Sequence, residues 1–369
     1  DFIVRNEYEE VLRYLLKAIR EGRGAGEVRG VSFRQNGRIV ETEAAPLIEP
    51  LDKLPQPARE KFPSPRHPDP TIYWDGFCQF RPAIQMHASR GCPYRCDFCL
   101  YNQVMYRSGR YRVFSPPRVV DEMEKSVQKY RAREIYFDDD DFTINRRHVQ
   151  EICEEILRRN LRIKWSCMGD AVNPTRQLIR VMAQSGCIGM KFGVESGSER
   201  MIKSVGKPIC LERVKRIARW CSVYRIKTHA TFSLGLYHED RESIKETVHF
   251  MKRLDVDTIQ LSICTPFPGT GFYEKAVRHG FLRTRQWEKY DGKTSEIFQH
   301  PKLNWKDVER VRIIALQEWV LWRFFSFCWL KRQLLYFCRI VKGLGPLFII
   351  KQIYSIFIDE LFRPVSREG

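Results

Sequence analysis

The stretch Ile84-Gln85-Met86-His87-Ala88-Ser89-Arg90-Gly91-Cys92-Pro93-Tyr94-Arg95-Cys96-Asp97-Phe98-Cys99 decides how the rest of the chain is read. Its first half, Ile84–Ser89, is a short run with strand character, ended by a polar and glycine-containing turn. Its second half spaces three cysteines as C-x3-C-x2-C, with an aromatic residue just before the third. Three thiolates on one short loop can hold three irons of a [4Fe–4S] cube, which leaves the fourth iron open to a chelating small molecule. A structural zinc site competes with this reading. Such a site takes four ligands, and only Cys78 or His87 stands nearby as a fourth. Three buried thiols with no metal is the plainest alternative, and the tight spacing argues against it.

Outward from this loop the same rhythm repeats. Further strands are expected at Glu134–Asp138, Ile163–Cys167, Ile188–Val194, Lys227–Leu234 and Thr258–Cys264. Helical patterns lie between them, near 118–130, 145–159, 175–185, 211–224 and 241–253. Alternating strands and helices imply parallel strands with crossover helices. Six such units predict an α/β fold, an open, partial (β/α)6 barrel of TIM type. In barrels the chemistry sits at the C-terminal strand ends, so the functional residues should follow the strands. No side chain is singled out as catalytic.

The flanks differ from the centre. Residues 7–21 read as an amphipathic helix, with Tyr8, Val11, Leu12, Leu15 and Ile19 on one face. Val28–Phe33 and Arg38–Thr42 flank Asn36-Gly37, a hairpin turn signal. Prolines at 50, 55, 57, 63, 65, 68 and 70 mark a linker. The expected division is therefore 1–60, 61–300 for the barrel, and 301–369 for a C-terminal helical extension.

Composition bounds the partners. The 369 residues carry 63 Lys+Arg against 45 Asp+Glu, a net charge of +18, and 43% are hydrophobic. That excludes a collagen-like or wholly disordered chain. No run of 18 apolar residues occurs, so no conventional membrane span is read. No basic-then-apolar leader follows Asp1. Twelve irregularly spaced cysteines point to a reducing, cytoplasmic setting in which some thiols bind metal. The nine outside the loop form no second C-x2-C and are expected to be buried, which argues against an auxiliary cluster.

The loop Cys92/Cys96/Cys99 with Phe98 resembles that of the radical S-adenosylmethionine (SAM) enzymes. The resemblance implies that SAM chelates the open iron, and that one electron, from a reductant such as ferredoxin or flavodoxin, cleaves it to methionine and a 5′-deoxyadenosyl radical. It also implies that Asp139-Asp140-x-Phe142 lies near the methionine moiety of SAM, and that Glu195 in Gly193-Val194-Glu195-Ser196 lies near SAM. Phe98, Asp139, Asp140, Glu195 and Ser196 are thus the expected cofactor-binding residues, and Cys92, Cys96 and Cys99 the metal ligands. The acidic run also suits a helix N-terminus, and Ser196 or Ser198 suits a helix cap. Pro268-Gly269-Thr270 resembles a family turn that closes the barrel. Two places depart from the pattern. Asp170 ends the stretch Ser166-Cys167-Met168-Gly169-Asp170 where many relatives carry Arg, and Gly235-Leu236-Tyr237-His238-Glu239 replaces a Pro-Gly-Glu segment.

The N-terminal piece, with Leu51-Asp52-x-Leu54-Pro55-x-Pro57, is similar to the tail of a cobalamin-binding domain. This points to the cobalamin-type radical SAM group of methylases and anaerobic magnesium-protoporphyrin ester cyclase. No Asp-x-His-x-x-Gly signature is present, so the chain is read as N-terminally truncated and not expected to bind cobalamin on its own. The implied reaction is methyl transfer or oxidative cyclisation at an unactivated carbon of a hydrophobic small-molecule substrate. The alternative is a metal- or cluster-stabilised binding protein that has lost its chemistry.

Residues 310–358 hold eight Lys/Arg against one acidic residue, Glu318, and eleven aromatics fall between Trp319 and Phe357. Such a segment suits a membrane interface or a cover for the barrel with snorkelling cations. Nucleic acid, read by stacking and phosphate contact, ranks below both.

Overall fold

A computed structural model describes residues 1–61, 75–107, 109–292 and 296–344. The prolines at 63, 65, 68 and 70, the boundary drawn after residue 60, and the extension from 345 onward fall wholly or partly outside the described residues.

The N-terminal unit is a three-stranded antiparallel sheet, β1 (Phe2–Val4), β2 (Val31–Gln35) and β3 (Arg38–Glu41), in that order. Asn36 and Gly37 both take positive φ, 50° and 77°, the twist a two-residue hairpin turn requires. Helix α1 (Tyr8–Arg20) lays Val11, Leu15 and Ala18 on Val28 and Val31. The three-residue β1 was not expected, because it is too short to show a period.

The centre is a parallel sheet of six strands in chain order: β4 (Ala83–Met86), β7 (Glu134–Phe137), β8 (Lys164–Gly169), β9 (Cys187–Glu195), β10 (Lys227–Leu234) and β11 (Thr258–Ile263). The short β5 (Ser89–Arg90) and β6 (Arg112–Val113) pair beside it. Helices α2 (Pro116–Tyr130), α3 (Arg146–Arg158), α4 (Arg176–Gln184), α6 (Leu211–Val223) and α7 (Arg241–Arg253) cross back between strands, and a short α5 (Glu199–Ser204) precedes α6. Among the described residues β4 and β11 do not pair, so the barrel is open along one seam. Met86, Phe137, Trp165, Phe192 and Phe232 point outward into the core under the helices. Their neighbours along each strand face inward, as the two-residue period demands. The floor of the barrel is closed by residues 75–80. Glu134 accepts hydrogen bonds there from Gln79 N (2.6 Å), Phe80 N (2.8 Å) and Ser166 Oγ (2.7 Å).

A helix α8 (Gly271–Arg278) follows β11, and the described residues close with α9 (Trp305–Phe324) and α10 (Phe327–Leu344). Trp319 Nε1 donates to Met251 O (3.1 Å) and Trp329 Nε1 to Asp257 O (2.9 Å), while Arg332 pairs with Asp255 and Asp257, each at 2.7 Å. One face of these helices therefore covers the barrel. At the corner between them Leu321, Trp322, Phe324, Phe325 and Phe327 are 63, 59, 62, 87 and 79% exposed. No single described helix is long and apolar enough to cross a membrane; α9 with Phe327–Cys338 passes only as a pair bent by 98°. Of the nine cysteines outside the loop, Cys210, Cys328 and Cys338 are exposed, against the expectation that all nine are buried, because their helices present those positions to solvent.

Candidate active site

The three-cysteine loop leaves β5 at the C-terminal mouth of the barrel. Gly91 makes the departure possible. Its φ is +90°, and a Cβ there would lie 2.1 Å from Arg110 O. Its N–H donates to Asp140 Oδ2 (2.7 Å). The loop then rests on two other elements. Asp97 N donates to Val205 O (2.9 Å), and Phe272 N donates to Asp97 O (3.1 Å), with Lys275 on the Asp97 carboxylate at 3.1 Å. The Pro268-Gly269-Thr270 turn thus does more than close the barrel: it delivers α8 as a seat for the loop.

The three thiols are close enough to act on one another electrostatically. Burial pushes Cys92 and Cys96 up to about 12, although Lys207 beside Cys96 pulls the other way. Loading metal therefore has to displace thiol protons. Burial raises Cys99 as well, and backbone N–H groups in the loop work against it. Among the described residues no three His, Cys, Asp or Glu converge on a point that could hold a single metal ion. Three thiols on one loop at C-x3-C-x2-C spacing are the donor set that holds three irons of a [4Fe–4S] cluster. The proposed fourth zinc ligand Cys78 lies at the barrel floor with Phe77, Ala83 and Tyr136, because the 75–80 segment folds under the sheet.

The other expected residues divide between contact positions and braces. Asp139 is fully buried; its carboxylate accepts from Ala88 N (3.2 Å) and from the Ser89 hydroxyl, and burial pushes it up to about 7. It thus fixes the strand end that leads to the loop. Asp140 holds Gly91 and the Tyr106 hydroxyl, and is raised by burial. Phe98 packs with Met201, Leu236 and Phe272 in a small core beside the loop. Ser196 pairs with Thr247 Oγ1 (3.0 Å) and accepts from Ser198 N (3.2 Å), a local side-chain turn; the expected helix cap does not form, since Ser198, at the N-cap of α5, makes no capping hydrogen bond.

Glu195 ends β9 with φ +69°, a position L-residues rarely occupy. It forms an ion pair with Lys207 (2.6 Å) and accepts from Ser233 Oγ (3.1 Å). Burial alone would lower the Lys207 pKa, but Glu195, Cys96 and Asp141 outweigh it and keep the ammonium charged. Gly193 leaves room for this pair, since a Cβ would stand 2.3 Å from Glu195 Oε1 and 2.6 Å from Lys207 Nζ.

The two departures are structured. Asp170 accepts from Val172 N and Asn173 N, both at 2.7 Å, and from Asn173 Nδ2 at 2.6 Å, which in turn donates to the Tyr94 hydroxyl at 2.6 Å. Burial and the Asp170 carboxylate hold Asp141 well above the usual carboxylate range. Glu239 is buried on Gly235 N and pushed up to about 8 by burial.

Lys207, Asn102 and Gln103 were not anticipated. Lys207 lies twelve residues beyond Glu195 with no periodic link to it. The adjacent amides Asn102-Gln103 interrupt the largely apolar run Leu100–Met105 directly after Cys99, a signal that was available.

Three thiols stand on a loop at the mouth of an open parallel barrel, and residues 86–251 match the Radical SAM superfamily. That match implies a [4Fe–4S] cluster and SAM. It is 30% identical over 290 residues to an uncharacterised methyltransferase of Pyrococcus horikoshii, covering 79% of this chain and 61% of that protein. It is 29% identical over 286 residues to the anaerobic magnesium-protoporphyrin IX monomethyl ester cyclase of Rubrivivax gelatinosus, covering 74% and 49%. Among solved structures, the radical SAM methyltransferase TsrM of Kitasatospora setae, with cobalamin and a [4Fe–4S] cluster bound, superposes with a TM-score of 0.64. That match is 22% identical and covers 78% of this chain and 57% of that one, which supports the shared fold. The chain spans about half to three-fifths of the length of the curated relatives it matches.

Proposed function

We propose that this chain is the radical SAM part of a cobalamin-type enzyme acting on an unactivated carbon, with methyl transfer favoured over oxidative cyclisation. The observation that carries the reading is the C-x3-C-x2-C loop, seated at the strand ends against Val205 and the start of α8. The relatives' names, methyltransferase and ester cyclase, support the two reaction types. Cys92, Cys96 and Cys99 would hold the cluster. Glu195, fixed by Lys207 and Ser233, offers a carboxylate toward SAM. Bound together, the cluster and SAM supply an electron and a 5′-deoxyadenosyl radical. The protein orients the site and excludes water. Inward-facing Thr231 and Ser233 on β10 would meet polar groups of the substrate, and the apolar C-terminal helices support a substrate that is otherwise hydrophobic. Thiolate chemistry of this kind suits a reducing cytoplasm with a low-potential reductant such as a ferredoxin or flavodoxin.

The test is anaerobic reconstitution followed by SAM and a strong reductant. About four irons and four sulfides per chain and formation of 5′-deoxyadenosine are expected. One zinc and no 5′-deoxyadenosine would instead identify a binding protein without radical chemistry.

The exposed corner between α9 and α10 supports contact with an anionic membrane surface. Its aromatics stand beside exposed Lys331 within a segment of net charge +7 over residues 310–358. Phe325→Ser with Phe327→Ser in the whole chain should weaken co-sedimentation with phosphatidylglycerol vesicles, while the wild type should bind phosphatidylcholine vesicles poorly. Unchanged binding by the double variant would dismiss the corner as the contact. Truncation is a poorer test, because α9 also buries Val308, Ala315 and Trp319 against the barrel.

A further inference from the structure

Directly after Cys99 the chain forms one π-helical turn, Tyr101–Met105. A π turn widens the helix and places consecutive side chains on one side, and it is often found at functional sites. Here the turn aims two amides back at the loop. Asn102 Nδ2 donates to Cys92 O (2.8 Å) and Tyr94 O (2.5 Å). Gln103 Nε2 stands within 2.9–3.0 Å of Cys96 O, Asp97 O and Cys99 O. Gln103 Oε1 accepts from Gly271 N at 2.8 Å, which fixes the orientation of the amide and ties the loop to the start of α8. Asn102 is itself buried. Two side chains thus gather the carbonyls of five loop residues, including all three cysteines.

The carbonyl is the negative end of a peptide. Holding five of them at the side-chain amides offsets the negative ends of the peptides around the cysteines. The net charge around a cluster sets how readily it takes up an electron, and so its reduction potential.

Resting on the cluster reading above, we infer that Asn102 and Gln103 are positioning residues that fix the polarity of the cluster loop and thereby both its retention of iron and its reduction potential. Gln103→Glu is the sharpest variant. It keeps the length and the acceptor for Gly271 N, but turns an acceptor toward three carbonyls. Asn102→Asp does the same for two. The experiment reconstitutes wild type and each variant anaerobically. It then measures iron and sulfide per chain, and the potential of the reduced cluster by titration followed by electron paramagnetic resonance. Circular dichroism reports folding. In folded variants, a several-fold loss of iron or a more negative potential in the retained cluster is expected. Wild-type iron content together with a wild-type potential in both variants overturns the inference. Should Gln103→Glu fail to fold, Gln103→Met removes the donors without adding charge and is read by the same two measurements. A merely structural role would lower thermal stability without moving the potential. Failure of the wild type itself to take up iron would instead overturn the cluster reading, which keeps the two failures distinct.

Discussion

Replacement of Cys92, Cys96 or Cys99 by alanine is expected to take the iron content of the reconstituted protein from about four per chain to near zero, and 5′-deoxyadenosine formation below detection. The reason is the size of the ligand set. The loop offers three thiolates and no fourth, and Cys78, the nearest other cysteine in sequence, belongs to the barrel floor. Removing one ligand leaves two thiolates for a cube that needs three. The fold should survive, since Cys92 and Cys99 are only partly buried and the loop is held by hydrogen bonds to its backbone. Iron and sulfide analysis beside circular dichroism checks both halves of this expectation. A four-iron cluster retained in any one variant would remove that cysteine from the ligand set.

The second large effect lies at the joint between the N-terminal unit and the barrel. Glu7 stands just before α1, makes no capping hydrogen bond to it, and is buried. It receives Arg112 Nη1 (2.8 Å) and Nη2 (3.0 Å), Arg90 Nη1 (3.1 Å) and Ile48 N (2.7 Å), while Arg112 also donates to Ile48 O (2.7 Å). Removing one partner of such a buried pair strands the other, which costs about 3–5 kcal/mol. Arg112→Met should therefore lower unfolding stability by about that much, read as a fall in denaturant midpoint. Glu7→Gln should cost less, because the amide keeps some of the hydrogen bonds. The pH dependence has a definite sign. Burial would raise the Glu7 pKa, but Arg112, Ile48 N–H and Arg90 together hold it below the ordinary 4.5. Its contribution is fully present above pH 4.5 and is lost as pH falls through the lower folded value. Glu7→Gln should flatten that acid limb; an unchanged limb would rule Glu7 out as its source.

Much of the barrel was legible because its signals are local. Lys227–Leu234 and Arg241–Arg253 fall where the pattern placed them, since a strand bounded by Arg225-Ile226 and Gly235 and a helix capped by Asp240 carry their own start and stop marks. The cysteine loop was legible for the same reason. What escaped depends on residues meeting across the fold. The bonds from Ala88 and Ser89 to the Asp139 carboxylate cross about fifty residues of chain. Lys207 meets Glu195 only because α5 turns the chain back over the mouth of the barrel. The Glu7–Arg112 pair joins positions 105 residues apart, and no window of sequence contains both.

The open seam carries a hazard that closed barrels avoid. Among the described residues no strand pairs with the outer sides of β4 and β11, and such open edges are templates for strand exchange between molecules. This chain blunts both sides from within. Arg59 Nη2 donates to Gln85 O on β4 (2.8 Å), and Ile263 N on β11 donates to Gly292 O (2.9 Å). A barrel left open at one side can in this way remain accessible without inviting its own copies to polymerise along the gap.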